Sequence, residues 1–394
     1  MKRLLTIAMV LALLGLPTRA PAAVDGPPVE INAILSLTGA GAFFGNSAAK
    51  TLSIIQNLVN ASGGIGGRPL AFRVLDDGSN PQTALQLASD VSGRKIAGVL
   101  GPSLTATCAA ILPMVNSSGP AAYCISPSVQ PDSGSFMFSN GPTGEDGAAV
   151  LLRFIRTSGM TRIAILNSTD ASGQAVDKAL TSALAEPENK SLTVVAHAHF
   201  APADVSVGAQ IAQIKAARPQ ALISWAVGTP FGTVLRGAAD GGLAVPIFTG
   251  AGNETIEQMK QYTHILPKEL YFEAELDMAT GGKVLPSIAK MQVDYFKAFS
   301  AAGLQTDGGY GGIWDMAVIY VDAYKRFNGA PTAAQLHDYI EGLHGYVGVN
   351  GIYDFSRFAQ RGVGQETDMI VRWNLATQSF VAASLPGGVV IRKR

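Results

Sequence analysis

The chain has 394 residues, 29 basic against 29 acidic side chains, and a 47% hydrophobic content. That length exceeds what one hydrophobic core usually holds, and the composition is too apolar for a disordered chain. The charge balance and the lack of a basic patch argue against a nucleic-acid partner.

Met1-Lys2-Arg3 precedes the short apolar run LLTIAMVLALLGL, which ends among small residues at Ala20, Ala22 and Ala23. Residues 1–23 therefore read as a cleaved export signal, and a periplasmic protein is expected. No later segment reaches 18 uninterrupted apolar residues, so no membrane span is expected. No cysteine lies near the cleavage region, which argues against a lipid anchor. Loss of Lys2, Arg3 and Arg19 leaves a mildly acidic mature chain.

From Ile31 to Ser103, three strand-like runs (INAILSLTG, PLAFRVLDD, IAGVLGPS) alternate with two helical patterns, which is a βαβαβ unit. A helical pattern TATCAAILPMVNSSG, a strand AAYCISP and an extended SGSFMFSNG follow, and Glu145–Gly159 reads as a helix with Pro142-Thr143 as its turn and cap. A second alternating set runs from RIAILNS to PIFTG, predicting another parallel sheet covered on both faces. Beyond Tyr271 come three helical segments and a hairpin-like end, GVNGIYDFS to DMIVRWNLATQSFVAAS. The late helices are expected to return to the first lobe and the terminal strands to the second.

The chemistry available lies in the loops. Gly39 to Gly45 joins the first strand to the first helix, but it carries neither a dinucleotide fingerprint nor a phosphate loop. Phe43 and Phe44 are adjacent there, so at least one is a candidate for stacking on a ligand, with local packing as the alternative. Ser103-Leu104-Thr105 opens a helix after Gly101-Pro102, where hydroxyls and free N–H groups suit a carboxylate; plain capping is the competing reading. Ser126 and Ser128 leave the neighbouring strand beside them. Asp76-Asp77 is read as capping ahead of Asn80-Pro81. His197 and His199 share one face of a strand and read as a solvated sheet edge or as satisfied core histidines, so no metal site is expected. Cys108 and Cys124 are expected to pair in an oxidising compartment, two buried thiols being the alternative; closing that loop would stabilise the fold by about 3 kcal/mol. No nucleophile, base or paired-carboxylate constellation emerges, so no enzyme and no cofactor is expected.

Four segments, LSLTGAGAFFG, LVNASGGIGGRPL, VLDDGSNPQTA and VLGPSLTA, occur in this order in the first third of the chain. With them the sequence resembles the branched-chain amino-acid (Leu/Ile/Val-binding) type of periplasmic solute-binding protein, the type I receptors of ABC importers. The resemblance implies two α/β lobes, each a parallel sheet flanked by helices, joined by three crossings. Those are expected near Gly141–Thr143, Thr280–Pro286 and Tyr346–Asp354, giving a first lobe of residues 24–142 plus 281–348 and a second of 143–280 plus 349–394. It further implies a monomer that closes over a small solute and delivers it to a membrane permease. The same lobes also serve as ligand-sensing subunits of signalling systems.

Carried onto this chain, the carboxylate-holding loop falls on Ser103 to Thr105 with help from Tyr123 to Ser128. Second-lobe contacts fall on Ser168 to Gly173, including Asp170, on Ala226 to Thr229 after Trp225, and on Gly250 to Asn253. Amino-acid receptors of the family present an acidic residue just after the strand PIFTG, where this chain has Ala251-Gly252-Asn253, and the loop at Asp170 lacks their usual tyrosine. A buried ammonium without an acidic partner would be penalised by several kcal/mol, roughly. The expected solute is therefore an aromatic carboxylate against Phe43, Phe44, Tyr123, Trp225 and Phe231. An amino acid is the alternative, and it requires Asp170 or Glu254 as ammonium partner.

Overall fold

The computed structural model describes residues 24–278 and 284–391, so the expected export signal lies outside the described residues. In chain order the first elements are β1 (Val29–Leu35), α1 (Ala42–Ala61), β2 (Leu70–Asp76), α2 (Pro81–Gly93), β3 (Gly98–Leu100), α3 (Thr105–Val115), β4 (Ala121–Cys124) and β5 (Met137–Ser139). The five strands form one parallel sheet ordered β2-β1-β3-β4-β5. β3, β4 and β5 are buried along their whole length, as expected of strands covered on both faces. Cys108 of α3 and Cys124 of β4 are disulfide-bonded, with Cα atoms 5.8 Å apart.

The chain then runs through α4 (Gly144–Thr157), β6 (Arg162–Ser168), α5 (Ala171–Ala185), β7 (Thr193–Phe200), α6 (Gly208–Ala216), β8 (Ala221–Ile223), α7 (Thr229–Asp240), β9 (Ile247–Thr249), α8 (Ile256–Gln261) and β10 (Leu270–Glu275). Thr143 caps α4 in a reciprocal box with Asp146, as the Pro142-Thr143 turn suggests. Three further helices follow, α9 (Pro286–Ala301), α10 (Gly308–Arg326) and α11 (Ala333–Glu341). The last strands are β11 (His344–Val347), β12 (Ile352–Asp354), β13 (Asp368–Asn374), β14 (Ser379–Ala382), β15 (Ser384–Leu385) and β16 (Val389–Val390). The second sheet is ordered β14-β13-β10-β9-β8-β6-β7; β13 and β14 join it antiparallel.

Three differences from the sequence reading matter for the site. β10 is a central strand that the sequence reading passes over, although LYFEAE alternates strictly, with Leu270, Phe272 and Ala274 buried between Tyr271, Glu273 and Glu275. The last passage between lobes also lies later than Tyr346–Asp354. Val349, Tyr353, Phe355 and Val363 all belong to the core built on β1 and α10, so the chain leaves the first lobe only at Gly364–Asp368, where β13 begins. This places residues 349–363 with the first lobe rather than the second. The passage expected near Thr280–Pro286 lies in part outside the described residues; beyond it α9 has Ile288 in the second core and Tyr295 and Phe299 in the first.

Asp76 and Asp77 do not cap α2. Asn80 does, accepting from Gln82 N and Thr83 N, while Asp76 gathers the loop after β1 by accepting from Leu37 N and from the Thr38 hydroxyl. Asp77 accepts from the Ser36 hydroxyl at 2.7 Å. The pair therefore shapes a loop instead of starting a helix.

Candidate functional site

A cavity of about 290 Å³ opens where the carboxyl ends of both sheets face each other, the usual place for a ligand in an α/β protein. It is lined from the first lobe by Ala40, Phe44, Ser103 to Ala106 and Ile125 to Ser128. The second lobe contributes Asp170 to Ser172, Trp225, Val227 and Gly250 to Glu254. Its floor is Asn140 to Pro142, Glu273 to Glu275 and Asp368, at the passages between lobes. The lobes also touch beside it, through Lys50 and Glu257, through the edge-on rings of Phe43 and Tyr262, and at Gly228, whose positive φ and lack of Cβ let it sit against Ala40 O.

The first-lobe end is a set of hydroxyls and free backbone donors. The Thr105 and Ser126 hydroxyls are 2.8 Å apart, tying α3 to the β4 exit. Ser103 does not cap α3; its hydroxyl accepts from Ser36 N at 3.2 Å. Thr107 turns back to accept from Leu104 N, and no side chain caps the helix start. Leu104, Thr105 and Ala106 thus bring the uncapped first turn of α3 to the cavity wall, where its dipole favours an anion.

The second-lobe wall is apolar around Trp225. Its indole packs on Gly250, where a Cβ would approach Cζ2 to 2.3 Å, so only glycine fits there. Asn253 lines the cavity, but its polar atoms are used: Nδ2 donates to Ala226 O and Thr249 Oγ1, and Oδ1 accepts from Gly228 N. Asp170 is likewise engaged, its Oδ1 accepting from Ser172 N and Gly173 N as the cap of α5. Glu254 differs. It is fully buried, and neither carboxylate oxygen has a hydrogen-bond partner. Burial, reinforced by the charges of Asp277, Asp307 and Glu275, pushes its carboxyl well above the usual range.

The floor repeats that pattern. Glu275 accepts from Asn140 Nδ2 on one oxygen while the other is unpartnered, and burial beside Asp277 raises it to about 8. Glu273 and Asp368 lie side by side in this floor, and burial raises both carboxyls. Among the described residues, none that lines the cavity is basic. Arg361 is occupied by the carbonyls of Pro127, Val129, Gly141 and Pro142.

Of the residues singled out in the sequence, Phe44, Ser103, Leu104, Thr105, Ser126, Ser128, Asp170, Trp225, Gly250 and Asn253 line the cavity. Phe43, Tyr123 and Phe231 do not. Phe43 packs on Tyr262. Tyr123 is fully buried in the first core between Phe138 and Tyr320, because β4 is covered on both faces. Phe231 is fully buried in the second core. Only two of the five expected aromatics thus reach the cavity. Sequence reading does not single out the glutamates of β10 or Asp368 of β13; the alternation in LYFEAE is the signal that could find the first two.

Two α/β lobes, each a largely parallel sheet flanked by helices, with a cavity between their strand ends define a class: the architecture of a type I periplasmic binding protein. A family profile for periplasmic binding proteins matches residues 28–378, and the chain belongs to that family. The Leu/Ile/Val-binding protein homolog 3 of Brucella melitensis is 22% identical over 236 residues, which are 58% of this chain and 62% of that protein. The chain thus spans somewhat under two thirds of that relative's length. An extracellular ligand-binding receptor from Rhodopseudomonas palustris superposes with a TM-score of 0.78 at 20% identity, covering 91% of this chain and 100% of that one. The branched-chain substrate-binding protein LivJ of Streptococcus pneumoniae, solved with isoleucine, gives 0.75 at 18% identity, over 93% and 100% of the two chains.

Proposed function

We propose that this protein is the periplasmic receptor of an ABC importer and that its solute is amino-acid-like, with a carboxylate and an ammonium on one small apolar body. The observation that carries this reading is the pairing, in one cavity, of the uncapped α3 start and its hydroxyls with a buried carboxylate, Glu254, that has no partner. The carboxylate sits at Ser103, Thr105 and Ser126, the ammonium at Glu254, and the side chain against Phe44, Ile125 and Trp225. An ammonium removes the need for Glu254 to stay protonated, so solute and closed cleft stabilise each other. The protein is exported with residues 1–23 removed and works as a monomer beside its permease.

A second reading, an aromatic carboxylate, draws on the Trp225 indole and the Phe44 ring in the same wall. Thermal-shift and calorimetric titration of ligand-stripped protein separates the two. Binding of aliphatic amino acids in preference to benzoate and cinnamate supports the first; binding of the aromatic acids alone overturns it in favour of the second.

A further inference from the structure

Outside the cleft, one cluster on the second lobe has the chemistry of a metal site. His197 and His199 are two apart on β7, so their imidazoles leave the same face of the strand. β7 is the edge of its sheet. The ring centroids are 4.7 Å apart. The third group comes from α5: Asp177 Oδ1 lies 3.0 Å from His197 Nε2, and Asp177 Oδ2 lies 2.7 Å from His199 Nε2. All three ligand atoms fall within 4.8 Å of one another. None of these residues lines the cavity.

We propose that Asp177, His197 and His199 bind a divalent transition-metal ion of the zinc class. Metal–nitrogen and metal–oxygen bonds of about 2.0–2.1 Å around a tetrahedral ion need ligand atoms about 3.3 Å apart, which small side-chain rotations provide here. Two imidazoles and one carboxylate form a donor set that suits zinc better than calcium or magnesium. The orientation of the carboxylate is already fixed, because Asn167 Nδ2 on the adjacent strand donates to Asp177 Oδ1 at 2.7 Å. That is the outer support a metal-binding carboxylate needs. Among the described residues no lysine or arginine pairs with Asp177. The histidine side chains are 38% and 45% exposed, so an ion has a path in and a fourth position open to water. Sequence reading sees only the two histidines and takes them for a solvated edge or for satisfied core histidines; the fold supplies the aspartate from 20 residues away.

The test is calorimetric titration of Zn²⁺ into the tag-free protein, with Co²⁺ absorption as a report on geometry. One equivalent of Zn²⁺ is expected, weakened at least ~10-fold by His197→Ala or by His199→Ala and abolished in the double variant. Asp177→Asn, which keeps the shape of the carboxylate, weakens it as well. Each variant is first checked for unchanged far-UV dichroism and an unchanged metal-free melting temperature; should the alanine variants fail this check, Asp177→Asn carries the test. Absence of saturable Zn²⁺ binding by the wild type overturns the proposal. So does one equivalent retained by the double variant.

Discussion

The two ends of the cavity solve the same problem, burial of polar groups, in opposite ways. At the first-lobe end the polar groups are partly satisfied by side chains close by: the Thr105 hydroxyl by Ser126, Leu104 N by Thr107, and Leu37 N in the loop before α1 by Asp76. At the Glu254 and β10 end, carboxylates are packed together, none of them in an ion pair among the described residues, and several oxygens have no partner at all. Neutral hydroxyls can pair locally at little cost, whereas buried carboxylates stay protonated or wait for a positive charge. The first arrangement fits a site that is ready before the solute arrives. The second fits a site completed by it.

The sharpest way to break this contrast is to remove the charge at one end and a hydroxyl at the other. Glu254→Gln is expected to weaken an amino-acid-like solute by ~100-fold or more, since a buried charge deprived of its partner costs about 3–5 kcal/mol. Thr105→Val removes one neutral donor and should weaken it by only ~10-fold. Calorimetric titration of both variants checks the ranking; equal losses, or an indifferent Glu254→Gln, would remove the ammonium from the proposed solute.

A smaller effect follows from proton linkage. Glu275 is raised to about 8 and Asp277 to about 7, and Glu273 is raised as well, each chiefly by burial, against ordinary values of 4.5 for glutamate and 3.8 for aspartate. The folded, solute-free protein therefore holds more protons than the unfolded chain between about pH 4 and pH 8. Their contribution to stability is fully present below the unfolded values and is lost as pH rises through the folded ones. Melting temperature without solute should fall by several degrees, roughly, from about pH 5 to about pH 8, and Glu275→Gln should flatten the fall. Solute affinity should run the other way, rising over the same window as the carboxylates ionise. A flat profile in both would show that the floor stays neutral throughout.

The same contrast decides what is legible in the sequence. Hydroxyls at strand exits, the Gly101-Pro102 turn before α3 and the Thr143 cap are local patterns, readable in a window of a few residues. The acidic wall and floor are not local: Glu254, Glu275 and Asp368 come from three separate strands or their exits, and only the order of the second sheet brings them together. Asp177 and the two histidines meet in the same way. Sequence reading names Glu254 as a residue an amino acid would need, but its isolation from every partner depends on α10, whose first glycine, Gly308, lies against it.

Tyr123 gives the smallest prediction and the cleanest separation of the two kinds of residue. It stands near the exit of β4, shortly before Ser126, which makes it look like a site residue; its strand, covered on both faces, places it in the core instead. The hydroxyl is buried and has no hydrogen-bond partner. Tyr123→Phe keeps the ring between Phe138 and Tyr320 and deletes only that unsatisfied group. Stability should therefore change by less than about 1 kcal/mol, in the stabilising direction if at all, and solute affinity should not change. Denaturant unfolding and titration read the two quantities independently. A loss of affinity with stability intact would return Tyr123 to the cavity wall and move the boundary between core and site inward along β4.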